Sequence, residues 1–272
     1  MDFNAQHIII TGGSSGIGKA TAKLFAKAGA NITIIARNLD QLEVAQTEIS
    51  AVKLHSHQQI FTLTADVSQR EQAETAIQTA IDKKGVPDVL ITSAGIAYPG
   101  YFKEIPIDIF EQTMAVNYFG SLYCVRAVVP LMQQQRRGQI VLLSSGAGLI
   151  GIYGYTAYSP SKFALRGLAE SLRGELKPFR IGVSIVYPPD TDTPQLEAEN
   201  RTKPPETRKI TKTTKTWTAE AVAMEIIKGI KKQKFAITPG FEIALLHRLH
   251  SILAPILNGY MDKIVSQIQQ KK

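Results

Sequence analysis

His7-Ile8-Ile9-Ile10-Thr11-Gly12-Gly13-Ser14-Ser15-Gly16-Ile17-Gly18 sets an apolar run against a glycine-rich turn, and a helical pattern follows it. A short apolar run bounded by glycine reads as a buried strand. Strand, glycine turn and helix in that order let the backbone come close to a pyrophosphate, while amide groups and the helix N-terminus supply positive potential for it. The turn alone is weak evidence, since an ordinary tight turn also opens many helices. Both flanks are present here, so Gly12, Ser14, Ser15, Gly16, Ile17 and Gly18 are candidate cofactor contacts.

Further along, β-branched runs at Ile32 to Ile35, Ile60 to Leu63, Val89 to Thr92, Ile140 to Leu143 and Gly182 to Val186 alternate with longer helical patterns. Apolar strands separated by helices predict a parallel sheet covered on both faces. Gly29 stands where the first helix should end, and Pro87 just before the fourth strand. A chain of 272 residues, 44% hydrophobic, can bury one large core without a second domain. No internal repeat or low-complexity block appears. The expected division is a domain over residues 1–239 and an extension over 240–272.

The chemistry lies in the second half. In Tyr158-Ser159-Pro160-Ser161-Lys162 a helix places Tyr158 and Lys162 on one face, and Ser145 stands 13 residues upstream at the end of an apolar strand. A phenol titrates near pKa ~10, so proton exchange with an alkoxide near neutrality asks for a neighbouring cation that favours the phenolate. Lys162 is placed to be that cation. The Ser145 hydroxyl can hydrogen-bond a substrate oxygen where negative charge develops and hold it within reach of Tyr158. Singly, a Tyr-x3-Lys pair is usually a surface pair and a buried serine usually a cap. Together with the glycine turn they point to a carbonyl/alcohol pair and a hydride donor.

On these residues the chain resembles the short-chain dehydrogenase/reductase family, with its TGxxxGxG turn and its Ser, Tyr-x3-Lys set, over roughly residues 6 to 238. The resemblance implies a single Rossmann-type doubly wound α/β fold. It also implies that Tyr158 is the general acid/base, that Ser145 polarises the carbonyl, and that Lys162 lowers the phenol pKa and holds the nicotinamide ribose. Asn117, in Met114-Ala115-Val116-Asn117-Tyr118-Phe119-Gly120, resembles the family's fourth member, bracing a water-linked relay to Lys162. By itself it would read as a helix residue bonding to backbone. Ser144 is the adjacent alternative to Ser145, but 13 residues to the tyrosine is the family's usual interval.

NAD enzymes place an acid at the end of the second strand, whereas NADP enzymes place an arginine against the 2′-phosphate. Here the strand ends Ile34-Ile35-Ala36-Arg37. Arg37 offers a planar fork for phosphate, Ser14 and Ser15 add hydroxyl donors, and NADPH is the expected cofactor. Asp66, followed by Val67, resembles the family's adenine contact and could equally cap the next helix.

The segment after the sixth strand, Tyr187-Pro188-Pro189-Asp190-Thr191-Asp192-Thr193-Pro194, continues through Glu199-Asn200, Lys203-Pro204 and Glu206-Thr207. It reads as a long proline-rich loop acting as a substrate lid over about residues 188–216. Its wording, with TGGSSGIG and SKFALRGLAESL, resembles the 3-ketodihydrosphingosine reductase branch of the family. That resemblance implies NADPH-dependent reduction of a lipid-like 3-ketone. The alternative is another lipid or acyl ketone, such as a 3-oxoacyl thioester or a steroid.

Residues 201–272 carry 14 Lys and Arg against 5 Asp and Glu, so the whole basic excess of the chain sits there. Within 241–268 apolar residues recur at helical spacing, among them Ile256, Leu257, Tyr260, Met261, Ile264, Val265 and Ile268. This suits a helix lying on an anionic membrane surface, and equally a face packed on the core or on a second subunit of a homo-oligomer. His247, Arg248, His250, Pro255 and Asp262 interrupt it too often for a spanning helix. Basic residues are not interleaved with stacking aromatics, which argues against nucleic-acid binding. The single cysteine, Cys124, excludes an internal disulfide, and the N-terminus lacks a signal-peptide pattern. A cytoplasmic setting is expected, at the cytoplasmic face of a membrane if the helix binds lipid, with the sequon at Asn200 idle. The pairs His55/His57 and His247/His250 lack partner ligands, so no metal is expected.

Three departures from the family pattern stand out. Thr92-Ser93-Ala94-Gly95 replaces Asn-Asn-Ala-Gly, which questions the bracing of that turn. Pro160 has to fall in the first turn of its helix for the Tyr/Lys geometry to hold. Gln41 takes the place of a basic residue, which weakens the expected grip on the 2′-phosphate.

Overall fold

The computed structural model describes residues 3–212 and 215–270. Its opening run forms β1 (His7–Thr11), every residue of it buried, and the glycine turn delivers it into α1 (Gly16–Lys27). There follow β2 (Asn31–Ala36), α2 (Leu39–Ser50), β3 (Ile60–Thr64), α3 (Arg70–Lys84) and β4 (Val89–Thr92). The second half runs through α4 (Ile107–Met114), a π-helical turn over Ala115–Phe119, α5 (Gly120–Gln135), β5 (Gly138–Leu143), α6 (Tyr158–Leu176) and β6 (Ile181–Val186). It closes with β7 (Thr191–Asp192), α7 (Pro194–Thr202), α8 (Pro205–Thr211), β8 (Trp217–Thr218), α9 (Ala219–Lys231), β9 (Ala236–Ile237) and α10 (Phe241–Gln269).

Seven strands pair in parallel in the order β3-β2-β1-β4-β5-β6-β9. Parallel neighbours need crossover connections, which the intervening helices supply on both faces. Alternate residues of β1 serve different layers: Ile9 packs with Ala73, Val125 and Leu142 on one face, and Ile8 and Ile10 pack with Phe25, Ile34 and Ile226 on the other. Both faces of the strand are covered, and this is why its sequence shows no polar alternation. Each such isoleucine stabilises the fold by about 1.5–3 kcal/mol of burial.

Two features escaped the sequence reading. The seventh strand, β9, has two residues, too few to show any period, and pairs only with Ile185 and Val186. Its Ile237 sits where a Cβ on Gly229 would have to go, so packing rather than propensity holds it. The expected proline-rich lid loop is instead two short helices bracketed by a parallel pair of strands, β7 and β8. Pro194 and Pro205 are the first residues of α7 and α8, where a fixed φ and a missing N–H suit a helix start. Thr193 caps α7 by accepting from the Leu196 N–H at 3.3 Å. Residues 213 and 214 of the expected lid lie outside the described residues.

Within the extension Phe241–Gln269 is helical, as its spacing predicts, but not detached, and residues 271 and 272 lie outside the described residues. Ile243 and Leu246 pack on the core beside β6 residues, and the Tyr187 and His247 rings meet at a tilt of 39° with centroids 5.5 Å apart. Farther along, α10 lies against α8, where Lys209 Nζ donates to Gln267 Oε1 at 3.0 Å. The predicted apolar stripe divides into two faces: Ile264 is buried, whereas Ile252, Ile256 and Tyr260 are exposed. Backbone geometry breaks from helical at Leu249.

The close approach of backbone to backbone in the first turn yields a direct prediction. A Cβ at Gly18 would collide with the carbonyl oxygen of Gly12. Gly18→Val should therefore lower stability by about 1–3 kcal/mol, read as a shift in the denaturation midpoint, and weaken nucleotide binding along with it.

Candidate active site

In parallel α/β sheets a crevice opens at the carboxyl ends of the strands, where neighbouring crossovers leave for opposite faces. Here β1 and β4 are neighbours, and the turns that leave them meet. Gly12 has φ +69°, and a Cβ there would lie 2.6 Å from the Ala94 amide nitrogen. Gly16 has φ +51° and faces Thr193. The first turn of α1 carries no acid, and no side chain caps its start at Ser15. An open glycine cradle at an uncapped helix N-terminus suits a pyrophosphate, so the residues fit a dinucleotide.

The turn after β4 is braced without the family's first asparagine. Ser93 N–H donates to the Thr11 carbonyl at 3.1 Å and Ala94 N–H to Thr11 Oγ1 at 3.3 Å. Asn117 completes the clamp. Its Oδ1 accepts from Ile96 N–H at 2.8 Å, and its Nδ2 donates to the Ile96 carbonyl at 3.0 Å and to Ser161 Oγ at 2.9 Å. The π-helical turn carries this fully buried side chain toward the turn and α6. A Cβ on Gly95 would stand 3.2 Å from Asn117 Oδ1 and 3.4 Å from Lys162 Nζ, so the backbone passes between them.

Tyr158 is the first residue of α6, so Pro160 falls in the first turn, where its missing N–H removes no helix bond. Tyr158 and Lys162 share a face, with Lys162 Nζ 5.4 Å from the phenol ring centroid and donating to the Leu143 carbonyl at 3.0 Å. Both serines line the cavity, but their hydroxyls differ: Ser144 Oγ donates to the Lys162 carbonyl at 2.9 Å and serves to anchor α6, whereas Ser145 Oγ accepts from Ala147 N–H at 3.1 Å and approaches the Tyr158 phenol.

Electrostatics departs from the sequence expectation in one respect. Burial, followed by the charge of Glu199, pushes the Tyr158 phenol above its ordinary value, opposed by the Ser145 and Gln195 side chains. Burial also lowers Lys162 to about 8, opposed by Glu199. Desolvation dominates at both groups, and what lowers the phenol is hydrogen bonding from Ser145 and Gln195. Both shifts favour the neutral form of their group, and for the phenol that is the form that can give a proton.

Of the other expected contacts, Arg37 is exposed at the end of β2, and Gln41 N–H is taken up by the Asn38 cap at 2.8 Å. Asp66 Oδ1 accepts from Ser68 N–H at 3.0 Å and Ser68 Oγ at 2.8 Å. That turn leads into α3, whose N-cap is Gln69 rather than Asp66. Val67 packs against the start of α5, where a Cβ on Gly120 would lie 2.8 Å from Val67 Cγ2.

The sequence reading missed the residues that α7 and α8 bring in. Glu199 is buried, and its Oε2 accepts from the Tyr155 hydroxyl at 2.6 Å. Glu206 Oε2 accepts from Tyr101 at 3.0 Å, and Thr207 Oγ1 donates to the Tyr153 carbonyl at 2.8 Å. These bonds pin the two helices over the cavity. The prolines of this segment suggested a lid loop, and only its resemblance to the reductase branch, through Glu199-Asn200, Lys203-Pro204 and Glu206-Thr207, marked these residues.

Comparison with known proteins agrees with this geometry. The family described as short chain dehydrogenase matches residues 6–204. The Bos taurus 3-ketodihydrosphingosine reductase is 45% identical over 251 residues, covering 92% of this chain and 76% of the relative. The Danio rerio 3-dehydrosphinganine reductase is 42% identical over 257 residues, covering 94% and 77%. Among solved structures, a Burkholderia phymatum short-chain dehydrogenase/reductase in complex with NAD superposes with TM-score 0.80 at 22% identity, covering 93% of this chain and 96% of that one. Levodione reductase superposes with TM-score 0.79 at 22% identity, covering 86% and 95%. With its matched length, its parallel sheet and its Ser145, Tyr158 and Lys162 cavity, the chain belongs to the short-chain dehydrogenase family.

Proposed function

We propose that the protein is an NADPH-dependent oxidoreductase that reduces the 3-keto group of 3-ketodihydrosphingosine to give dihydrosphingosine. The observation that carries this is identity of 45% with a reductase of that name over 92% of the chain. When bound, the nicotinamide supplies the hydride to the carbonyl carbon. Ser145 Oγ donates a hydrogen bond to the carbonyl oxygen, and Tyr158 passes its phenolic proton to that oxygen as negative charge develops there. The Lys162 ammonium, held by the Leu143 carbonyl, stabilises the phenolate that remains. Asn117 acts through position, fixing the turn after β4 and the start of α6 in one frame.

Gly12, Ser14, Ser15, Gly16, Ile17 and Gly18 would hold the pyrophosphate end, with Asp66 and Val67 toward the adenine. Arg37 supports the choice of NADPH, because a guanidinium forks onto a 2′-phosphate and Arg37-Asn38 at the end of β2 includes no acid. The exposed residues Ile252, Ile256 and Tyr260 of α10 support a contact with the cytoplasmic face of an anionic membrane. A long-chain ketone leaves a bilayer only at about 0.8 kcal/mol per CH2, so an enzyme resting on lipid need lift only the head group to its cavity.

Three measurements test this reading. NADPH oxidation with 3-ketodihydrosphingosine in mixed micelles should outpace that with a 3-oxoacyl thioester, and Tyr158→Phe should slow it about 10²- to 10⁴-fold. Faster turnover of the thioester would remove the sphingoid assignment and leave the chemistry. Arg37→Ala should cut kcat/KM for NADPH about tenfold, equivalent to about 1.4 kcal/mol, and change that for NADH far less. Equal losses would remove the preference for the phosphorylated cofactor. Ile252→Glu with Ile256→Glu should abolish co-sedimentation with phosphatidylserine vesicles at a stability cost within about 0.5 kcal/mol per site. Undiminished sedimentation would dismiss α10 as the contact.

A further inference from the structure

One carboxylate in the cavity acts on Tyr158 and Lys162 through its charge but neither gives nor takes the transferred proton. Glu199, from α7, lines the same space as Ser145, Tyr158 and Lys162 and is only 7% exposed. Among the described residues no salt bridge reaches it. Its two oxygens are aligned by neutral donors: Tyr155 Oη to Oε2 at 2.6 Å, and Gln195 Nε2 to Oε1 at 2.9 Å. Such donors hold a carboxylate in place without cancelling its charge. A buried carboxylate is costly to fold around unless a cation bonds it directly, and the Lys162 charge acts on Glu199 only from a distance. Asp190 lines the same wall, with the Lys203 charge acting on it. Among the described lining residues the one basic side chain is Lys162, whose Nζ is directed to the Leu143 carbonyl.

The location of this charge is specific. The Tyr155 and Tyr158 rings lie 5.7 Å apart, so the hydroxyl that aligns Glu199 belongs to the ring next to the reacting phenol. Gln195, bonded to Glu199, also approaches the Tyr158 phenol. Glu199 thus shares the cavity of Ser145 and Tyr158 and is joined to the Tyr158 side by Tyr155 and Gln195. In the sphingoid ketone the carbon next to the carbonyl bears an amine.

We propose that Glu199, aligned by Tyr155 and Gln195, is the counter-ion for an ammonium group on the carbon adjacent to the reduced carbonyl, and so selects amino ketones over uncharged ones. This rests on the function proposed above and names the residue through which the substrate class is recognised. An ammonium there completes the missing ion pair and spreads its hydrogen bonds over the carboxylate. An uncharged ketone leaves the carboxylate buried and unpaired, which is the stronger form of discrimination.

The test compares 3-ketodihydrosphingosine with its des-amino counterpart, a 1-hydroxy-3-ketone of equal chain length, in identical micelles with NADPH. Full-length wild type, Glu199→Gln and Glu199→Asp are assayed for kcat and KM on both. Wild type should favour the amino ketone. The ratio of kcat/KM values should fall at least tenfold in Glu199→Gln, chiefly through KM, and recover in part in Glu199→Asp, which keeps the charge. Equal loss on both ketones would reduce Glu199 to a residue that holds α7 in place and overturn the inference. So would a wild type indifferent to the amine. Should Glu199→Gln fail to fold by circular dichroism, Tyr155→Phe provides the same comparison, since a carboxylate with one aligning donor removed should lose selectivity, and an unaltered ratio there overturns the inference. A wild type that reduces neither ketone but turns over a 3-oxoacyl thioester defeats the functional reading itself. Retention of the ratio by Glu199→Gln, with the amino ketone still reduced, defeats only the role of Glu199.

Discussion

The neighbouring of β1 and β4 is the constraint from which the rest follows. Crossovers leaving these two strands go to opposite faces of the sheet, so their carboxyl ends open a crevice that no helix fills. The glycine turn and the turn at Ala94 approach so closely there that a Cβ on Gly12 has no place. Every group with a chemical role sits at that edge. Ser145 follows β5, Lys162 reaches back to the last residue of β5, Asn117 ties down the exit of β4, and the segment after β6 carries Glu199.

Burial governs the chemistry of the crevice. A phenol, an ammonium and a carboxylate removed from water perturb one another, and desolvation is the largest cause of the shifts at both Tyr158 and Lys162. A phenol that retains its proton suits the reduction of a ketone, whose oxygen has to be protonated. Lysine enters as a charge that receives the phenolate after the proton has moved. The two serines show how finely position decides role, since the Ser144 hydroxyl bonds the backbone of α6 and that of Ser145, one residue on, approaches Tyr158.

The segments after β6 join this crevice to the outer surface. Helices α7 and α8 are held over it through tyrosines from two other loops, and α10 runs from the vicinity of Gly146 outward along α8. A Cβ on Gly146 would lie 3.1 Å from Ile243 Cδ1, so the start of α10 is part of the wall behind Ser145. Its later turns present Ile252, Ile256 and Tyr260 to the surroundings. One helix thus spans the distance between the reacting groups and the face proposed to meet lipid.

Local pattern alone was enough for six of the seven strands, for the glycine turn, and for the Tyr158 and Lys162 pair. A buried parallel strand is uniformly apolar, a nucleotide turn needs glycine where φ is positive, and an i, i+4 pair is a property of one helix. Tertiary packing alone decided the rest. Two-residue β9 exists because Ile237 fits against Gly229, and the helices of the lid were hidden because they are short, polar and opened by proline. Asn117 could be singled out, but its bonds to Ile96 and Ser161 join residues 21 and 44 positions away. Burial of Glu199 beside Tyr155 likewise depends on a partner 44 residues distant, and the upward shift of Tyr158 depends on enclosure by segments from well-separated parts of the chain. Such properties belong to the solvent-excluded space that distant segments share, and no run of consecutive residues encodes it.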